Sequence, residues 1–242
     1  NLTYLMAGAT IGGVGQYDDL ELEKMLAGKT ATVAPYIDDD TEGMTGTSNV
    51  KDTETLLELV YLYFTQPRKD PQAFKSLMEQ QEAFLTNAHV NPMLAYNDTL
   101  HKVAYGTDRL ASMDKERLKK VSYDRIMQIY KERFASAADF KLILTGNINL
   151  DKLRPLLCRY MAVLPSNNRT EGIGTHGARL VDGKKTYIFH KEQATPTAIT
   201  TIVIKGKMEY SNRNELLMDA IGQLLRIVYT DKVREEKGGT YS

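Results

Sequence analysis

The stretch from about Asn212 to Glu236 constrains this chain most, because it carries one apolar stripe along many consecutive helical turns. Leu216, Leu217, Ala220, Ile221, Leu224, Leu225, Val228 and Val233 make that stripe, and Asp219, Gln223, Arg226, Asp231 and Lys232 are among the polar residues between them. Such a pattern fits an amphipathic helix, and its apolar face needs a second layer to cover it. Gly238-Gly239 supplies the helix stop, and Thr240-Tyr241 reads as the opening of a strand. Lys185–His190 and Thr197–Lys205, upstream, have the composition of strands. Strands followed by a long helix define one α/β unit.

An earlier unit precedes it. Residues 1–11 are small and apolar and end at Gly12-Gly13-Val14-Gly15, which reads as the end of a helix and a turn. A helix is expected from about Asp19 to Leu26, with Asp18 or Asp19 as N-cap and Gly28 as stop. Lys29–Ile37 and Glu42–Ser48 form a hairpin around Asp38-Asp39-Asp40. Asp52 is expected to cap a helix with Leu56, Leu57, Val60, Tyr63 and Phe64 on one face, ended by Pro67. Asp70-Pro71 opens the next, with Phe74, Leu77, Met78, Gln81 and Leu85 inward. Pro92 opens another, to about Val103. Asp124–Phe134 is helical, with Ile126, Ile129, Tyr130 and Phe134 in phase. Phe140–Leu144 reads as a strand stopped by Gly146-Asn147, and Asp151 as the cap of a helix with Leu153, Leu156, Leu157, Tyr160 and Leu164 inward. The polar, glycine-containing run from Pro165 to about Arg179 is the best linker. The expected organisation is a first domain over 1–164, a linker over 165–180 and a second domain over 181–242. The chain opens on Asn1-Leu2-Thr3 and stops at Tyr241-Ser242, so the first domain is expected to lack its opening strands and the second to be truncated.

Composition narrows the function. The 242 residues carry 31 basic and 31 acidic side chains, a net charge of zero, without the basic excess of a nucleic-acid binder. No run of about 18 apolar residues exists, so no membrane span is expected. The lone cysteine, Cys158, permits no intrachain disulfide. That leaves the compartment open, with cytoplasm and periplasm both compatible.

Chemistry-bearing motifs are sparse. His89, His101, His176 and His190 include no pair at helical i,i+4 spacing, and no Cys/His pair has zinc spacing. Gly12–Gly15 lacks the Lys-Ser/Thr of a phosphate loop, and Asp38–Asp40 lacks the spacing of a calcium loop. The remaining candidate is Arg234-Glu235-Glu236-Lys237-Gly238-Gly239-Thr240-Tyr241. On spacing alone, Arg234 can simply complement the helix dipole and Tyr241 can be a strand core residue.

That stretch resembles a signature of the pitrilysin-type (M16) zinc metallopeptidases, in which a long helix ending in Arg-Glu is followed by glycine and a Tyr-Ser that opens a strand. Asp139–Ile148 followed by Leu153-Arg154-Pro155-Leu156 and Leu164-Pro165 is similar to that family's strand–Gly–helix–Leu-Pro ending of a domain. Asp52–Leu59 through Phe64–Asp70 resembles its helix pair, and Tyr130–Phe134 precedes the strand as in the family. The resemblance implies an α+β fold of two M16-type domains, each a mainly antiparallel sheet packed with helices. Members have two homologous halves. The first carries His-x-x-Glu-His and a distant Glu as a zinc site, and the motif is absent from this sequence. The resemblance therefore implies the C-terminal, non-catalytic half of a zinc metalloendopeptidase. Zinc would be bound by ligands outside this segment and none within it, and the segment alone would be inactive. In such enzymes zinc activates water for attack on a peptide carbonyl, with the motif Glu as general base. The implied partners are a peptide or unfolded polypeptide substrate and the catalytic first half, in the same protein or a partner subunit. By the same carry-over, Arg234 would hold a substrate carbonyl. Tyr241 would bind substrate and donate to the oxygen that becomes negative in the tetrahedral intermediate. The alternative is a catalytically inactive structural, assembly or peptide-binding protein of the same fold.

Overall fold

The computed structural model describes residues 4–38, 41–88, 91–108, 110–167, 172, 177–192, 195, 197–236 and 238. Their contacts group into two units, Asn1–Ala194 and Thr195–Ser242.

In the first unit, α1 (Leu5–Thr10) and α2 (Asp19–Met25) precede a hairpin of β1 (Ala31–Ile37) and β2 (Glu42–Ser48). The helices α3 (Thr53–Thr65), α4 (Pro71–Ala88), α5 (Pro92–Tyr105), α6 (Lys115–Leu118), α7 (Tyr123–Arg133) and α8 (Leu150–Tyr160) follow. The hairpin is antiparallel, pairing Ala31 with Ser48 through to Ile37 with Glu42. The Asp38 amide donates to Thr41 O at 2.8 Å across the turn, while Asp39 and Asp40 lie outside the described residues.

Local chemistry explains most helix starts. Asp18 forms a full capping box with Glu21 at the head of α2. The Asp70 carboxylate accepts from the amides of Gln72 and Ala73 at 3.1 and 3.0 Å, and Pro71 follows it at the first position of α4. Asn91 accepts from Met93 N, Pro92 opens α5, and Gly106 at φ +63° closes it. Two caps differ from expectation. Asp52 precedes α3, but its carboxylate accepts from Thr30 N at 2.9 Å and so ties the helix to the hairpin. That bond is the main reason its carboxyl lies below the usual carboxylate range. The cap of α8 is Asn149, whose side chain accepts from Lys152 N at 3.0 Å. Asp151 falls in the first turn, where its charge complements the helix dipole.

Two buried clusters hold this unit. Val14, Leu22, Ala31, Leu56 and Leu59 join the α1–α2 turn, α2, the hairpin and α3. The larger cluster joins α1, α3, α4 and α7 through Leu5, Phe64, Phe74, Ile126, Tyr130 and Phe134. Full burial of each large apolar side chain contributes ~1.5–3 kcal/mol.

The glycine-rich turn after α1 is stitched to the segment after α3. Gly15 N donates to Gln66 O at 2.8 Å, Arg68 N to Gly13 O at 3.2 Å, and Arg68 Nη1 to Gly12 O at 2.8 Å. A Cβ at Gly12 would lie 2.2 Å from Arg68 O. Gly12→Ala therefore forces two backbone segments apart. Overpacking of this kind costs ~1–3 kcal/mol, and a urea titration should show the midpoint falling by that measure. An unchanged midpoint would show that the turn gives way freely.

The second unit contains α9 (Asn212–Tyr229), capped by Ser211, whose side chain accepts from Asn214 N at 3.2 Å. Leu216, Leu217, Ile221, Leu224 and Val228 along it are exposed. The strands expected at Phe140–Leu144, Lys185–His190 and Thr197–Lys205 are corrected here: these segments join no ladder, and β1–β2 is the one sheet among the described residues. A β-rich sequence becomes a strand only when another strand accepts its hydrogen bonds. Ile143, Ile188, Ile202 and Ile204 are accordingly exposed. The fold class is α+β, with many helices and a small antiparallel sheet.

Candidate functional site

Arg234 lies in the helical turn that prolongs α9. From Thr230 to Glu235 the backbone is π-helical. The change of register is visible in its bonds. Thr230 N still reaches back to Arg226 O and Ile227 O, whereas Glu236 N bonds Asp231 O, five residues back, at 3.0 Å. The ladder then closes with Gly238 N on Arg234 O at 3.0 Å. Gly238 sits at φ +60°, the left-handed conformation that ends helices and that glycine adopts without penalty. The predicted helix stop is therefore present at Gly238.

The Arg234 guanidinium pairs through Nε with Glu235 Oε1 at 3.5 Å, and Lys232 pairs with Glu236 one turn along. Both pairs are solvent-exposed, and such pairs contribute ~0–1 kcal/mol. Lys232 and Arg234 thus place two cations in the last turn, where they complement the negative end of the helix dipole. Tyr241, the other predicted site residue, lies outside the described residues, as do Gly239 and Thr240.

The other motifs resolve into structure. The amides of Gly13, Val14 and Gly15 bond Thr10 O, Tyr17 O and Gln66 O, so the glycine-rich turn has spent the donors a phosphate would need. His101 stands edge-on to Tyr105 on α5. His89 and His176 lie outside the described residues. Cys158 is a free, exposed thiol on α8. Among the described residues no three His, Cys, Asp or Glu side chains come together as metal ligands. The described residues therefore offer no ligand set that fits a zinc ion. No helix among them is long and apolar enough to cross a membrane. The π-helical turn is the feature that sequence reading missed. Its one signal is the five-residue step from Val228 to Val233 in a stripe whose other steps are one or three.

The described residues thus show a helix-rich unit with a small antiparallel sheet, and a unit with a long amphipathic helix ending in a glycine stop. The family model "Peptidase M16 inactive domain" matches residues 120–242, and the chain belongs to the M16 peptidase family. Among curated proteins it is similar to the "Probable zinc protease PqqL" of Escherichia coli (strain K12), 20% identical over 236 residues. It is also similar to the "Probable zinc protease PqqL" of Haemophilus influenzae, 24% identical over 238 residues. Each match covers 95% of this chain but only 25% and 24% of the relative, so the chain spans about a quarter of their length. The crystal structure of the periplasmic protease PqqL from E. coli shares the fold at a TM-score of 0.81 and 17% identity, over 99% of this chain and 27% of that one. A peptidase M16 inactive domain from Pseudomonas fluorescens matches at a TM-score of 0.54 and 18% identity, over 70% of this chain and 42% of its own.

Proposed function

We propose that this chain is part of the non-catalytic half of a zinc-dependent metalloendopeptidase that hydrolyses peptides in a clam-shell chamber. Its contribution is substrate binding by Arg234 and Tyr241 and stabilisation of the developing oxyanion by Tyr241. The observation that carries this reading is the end of the long helix. Arg234 stands in its last turn, Gly238 stops it at φ +60°, and both fall inside the stretch matched by the family's inactive domain. A helix end fixed by backbone bonds gives a following residue a defined place, which a hydrogen-bond donor to a transition state requires.

The zinc of the parent enzyme belongs, in this reading, to the catalytic first half, in the same polypeptide or a partner subunit. The exposed apolar side chains of α9 and of Ile199–Ile204 are then surfaces that the remaining domains of the parent cover. The domain division at 165–180 belongs to the same reading. Zinc titration of the isolated chain tests it. Binding is expected to stay well below one equivalent by atomic absorption after dialysis. A tight one-to-one complex would overturn the non-catalytic assignment. Reading the rest of the parent polypeptide and its partners for His-x-x-Glu-His separates the peptidase from a structural protein of the same fold.

A further inference from the structure

The stripe of α9 runs through Leu217, Ile221, Leu224 and Val228, in steps of four, three and four. An α-helix turning about 100° per residue would place the next member at position 231 or 232. Those positions hold Asp231 and Lys232, and the next apolar residue is Val233. Five α-helical residues would leave Val233 roughly 140° round from Val228. A π-helical turn, with its i→i+5 bonds, takes more residues to complete a rotation and so swings Val233 back toward the side of Val228. The bond from Glu236 N to Asp231 O is of that kind. Val233 is 38% exposed, against 47–69% for the large apolar side chains of α9 from Leu216 to Tyr229. The extra residue also turns everything after it. Arg234 leaves the helix roughly 100° from where an unbroken α-helix would send it.

We infer that the π-helical turn Thr230–Glu235 is a register device. It keeps Val233 in the apolar stripe of α9 and thereby sets the direction in which Arg234 points. Val233 is a positioning residue for Arg234. The inference rests on the reading of Arg234 as a substrate contact, and its test separates the two.

The experiment uses the full-length parent protein and a quenched fluorescent peptide as the probe. Arg234→Ala is expected to raise KM about tenfold, the effect of losing one hydrogen bond to a charged group. Inserting one alanine between Val233 and Arg234 turns the guanidinium away and should raise KM to the same degree, with kcat little changed. Deleting Lys232 lets the turn relax to an α-helix with Val233 four residues after Val228, so both side chains keep their directions. That variant should stay within about threefold of wild-type KM. Alkylation gives a readout independent of Arg234. In a Cys158→Ser background, Val233→Cys should react more slowly than Lys232→Cys. If Arg234→Ala raises KM but the alanine insertion does not, the register inference is overturned and the substrate contact stands. It is equally overturned if deleting Lys232 costs as much as the insertion, or if Lys232→Cys is the slower to react. If Arg234→Ala leaves KM unchanged, the substrate contact is wrong, and the alkylation rates still decide the register.

Discussion

Tyr130→Ala is expected to cost the first unit ~3–5 kcal/mol, the range for removing a buried aromatic ring. Tyr130 is 0% exposed and lies in the larger cluster, its ring 4.7 Å from that of Phe134. Phe134 in turn meets Phe64 edge-on at 5.5 Å, so the loss of one ring loosens α3 against α7. The hydroxyl adds a second effect. It donates to Tyr63 O at 2.8 Å, and that carbonyl belongs to the last turn of α3, where no helical amide remains to satisfy it. Tyr130→Phe keeps the ring and strands the acceptor, which costs ~1–3 kcal/mol. Urea unfolding followed by far-ultraviolet circular dichroism should rank wild type above Tyr130→Phe above Tyr130→Ala. A phenylalanine variant as stable as wild type would show that the carbonyl finds water instead. Burial also pushes the Tyr130 phenol well up. The sign follows by linkage. The unfolded phenol releases its proton near pH 10 while the folded one keeps it, so the folded state loses stability as pH rises above ~10.

The same residue shows what could be read in advance. Ile126, Tyr130 and Phe134 recur at helical spacing, and all three are buried as that spacing requires. The hairpin and the starts of α2, α4 and α5 were equally legible, because each rests on short-range chemistry: an acidic or amide cap, a proline, a glycine stop. Where expectation failed, a competing partner decided. Asp52 had the right chemistry for a cap, but the Thr30 amide, distant in sequence, took its carboxylate. Asn149 and Asp151 are two residues apart and both able to cap, and Asn149 took the role. The four-residue helix α6 is too short to leave a periodic pattern. Phe140–Leu144 and Thr197–Lys205 carry strand composition, yet pairing is a property of two segments and no single one reports it. At the candidate site, Arg234 and the stop at Gly238 were legible from the helix end. The π-helical turn was not, because a single step of five leaves the stripe's helical pattern recognisable.

Tyr241→Phe, made in the full-length parent protein, is expected to lower kcat by ~10²–10³ and leave KM within a few-fold, the signature of a donor that acts on the transition state rather than on the bound substrate. Arg234 should behave in the opposite way, because a contact to a carbonyl that does not react binds ground state and transition state alike and so appears in KM. The two residues are seven apart on either side of Gly238. The helix end would thus hold one group for binding and pass a second to the reacting carbonyl. The phenylalanine variant keeps the ring and whatever packing the ring makes, and it removes only the hydroxyl. Thermal unfolding should therefore be unchanged while kcat falls. The reverse result, an intact kcat with a lowered Tm, would make Tyr241 a strand core residue and remove the oxyanion role. An intact kcat and an intact Tm would remove both, and would leave Arg234 as the chain's one proposed contact with substrate.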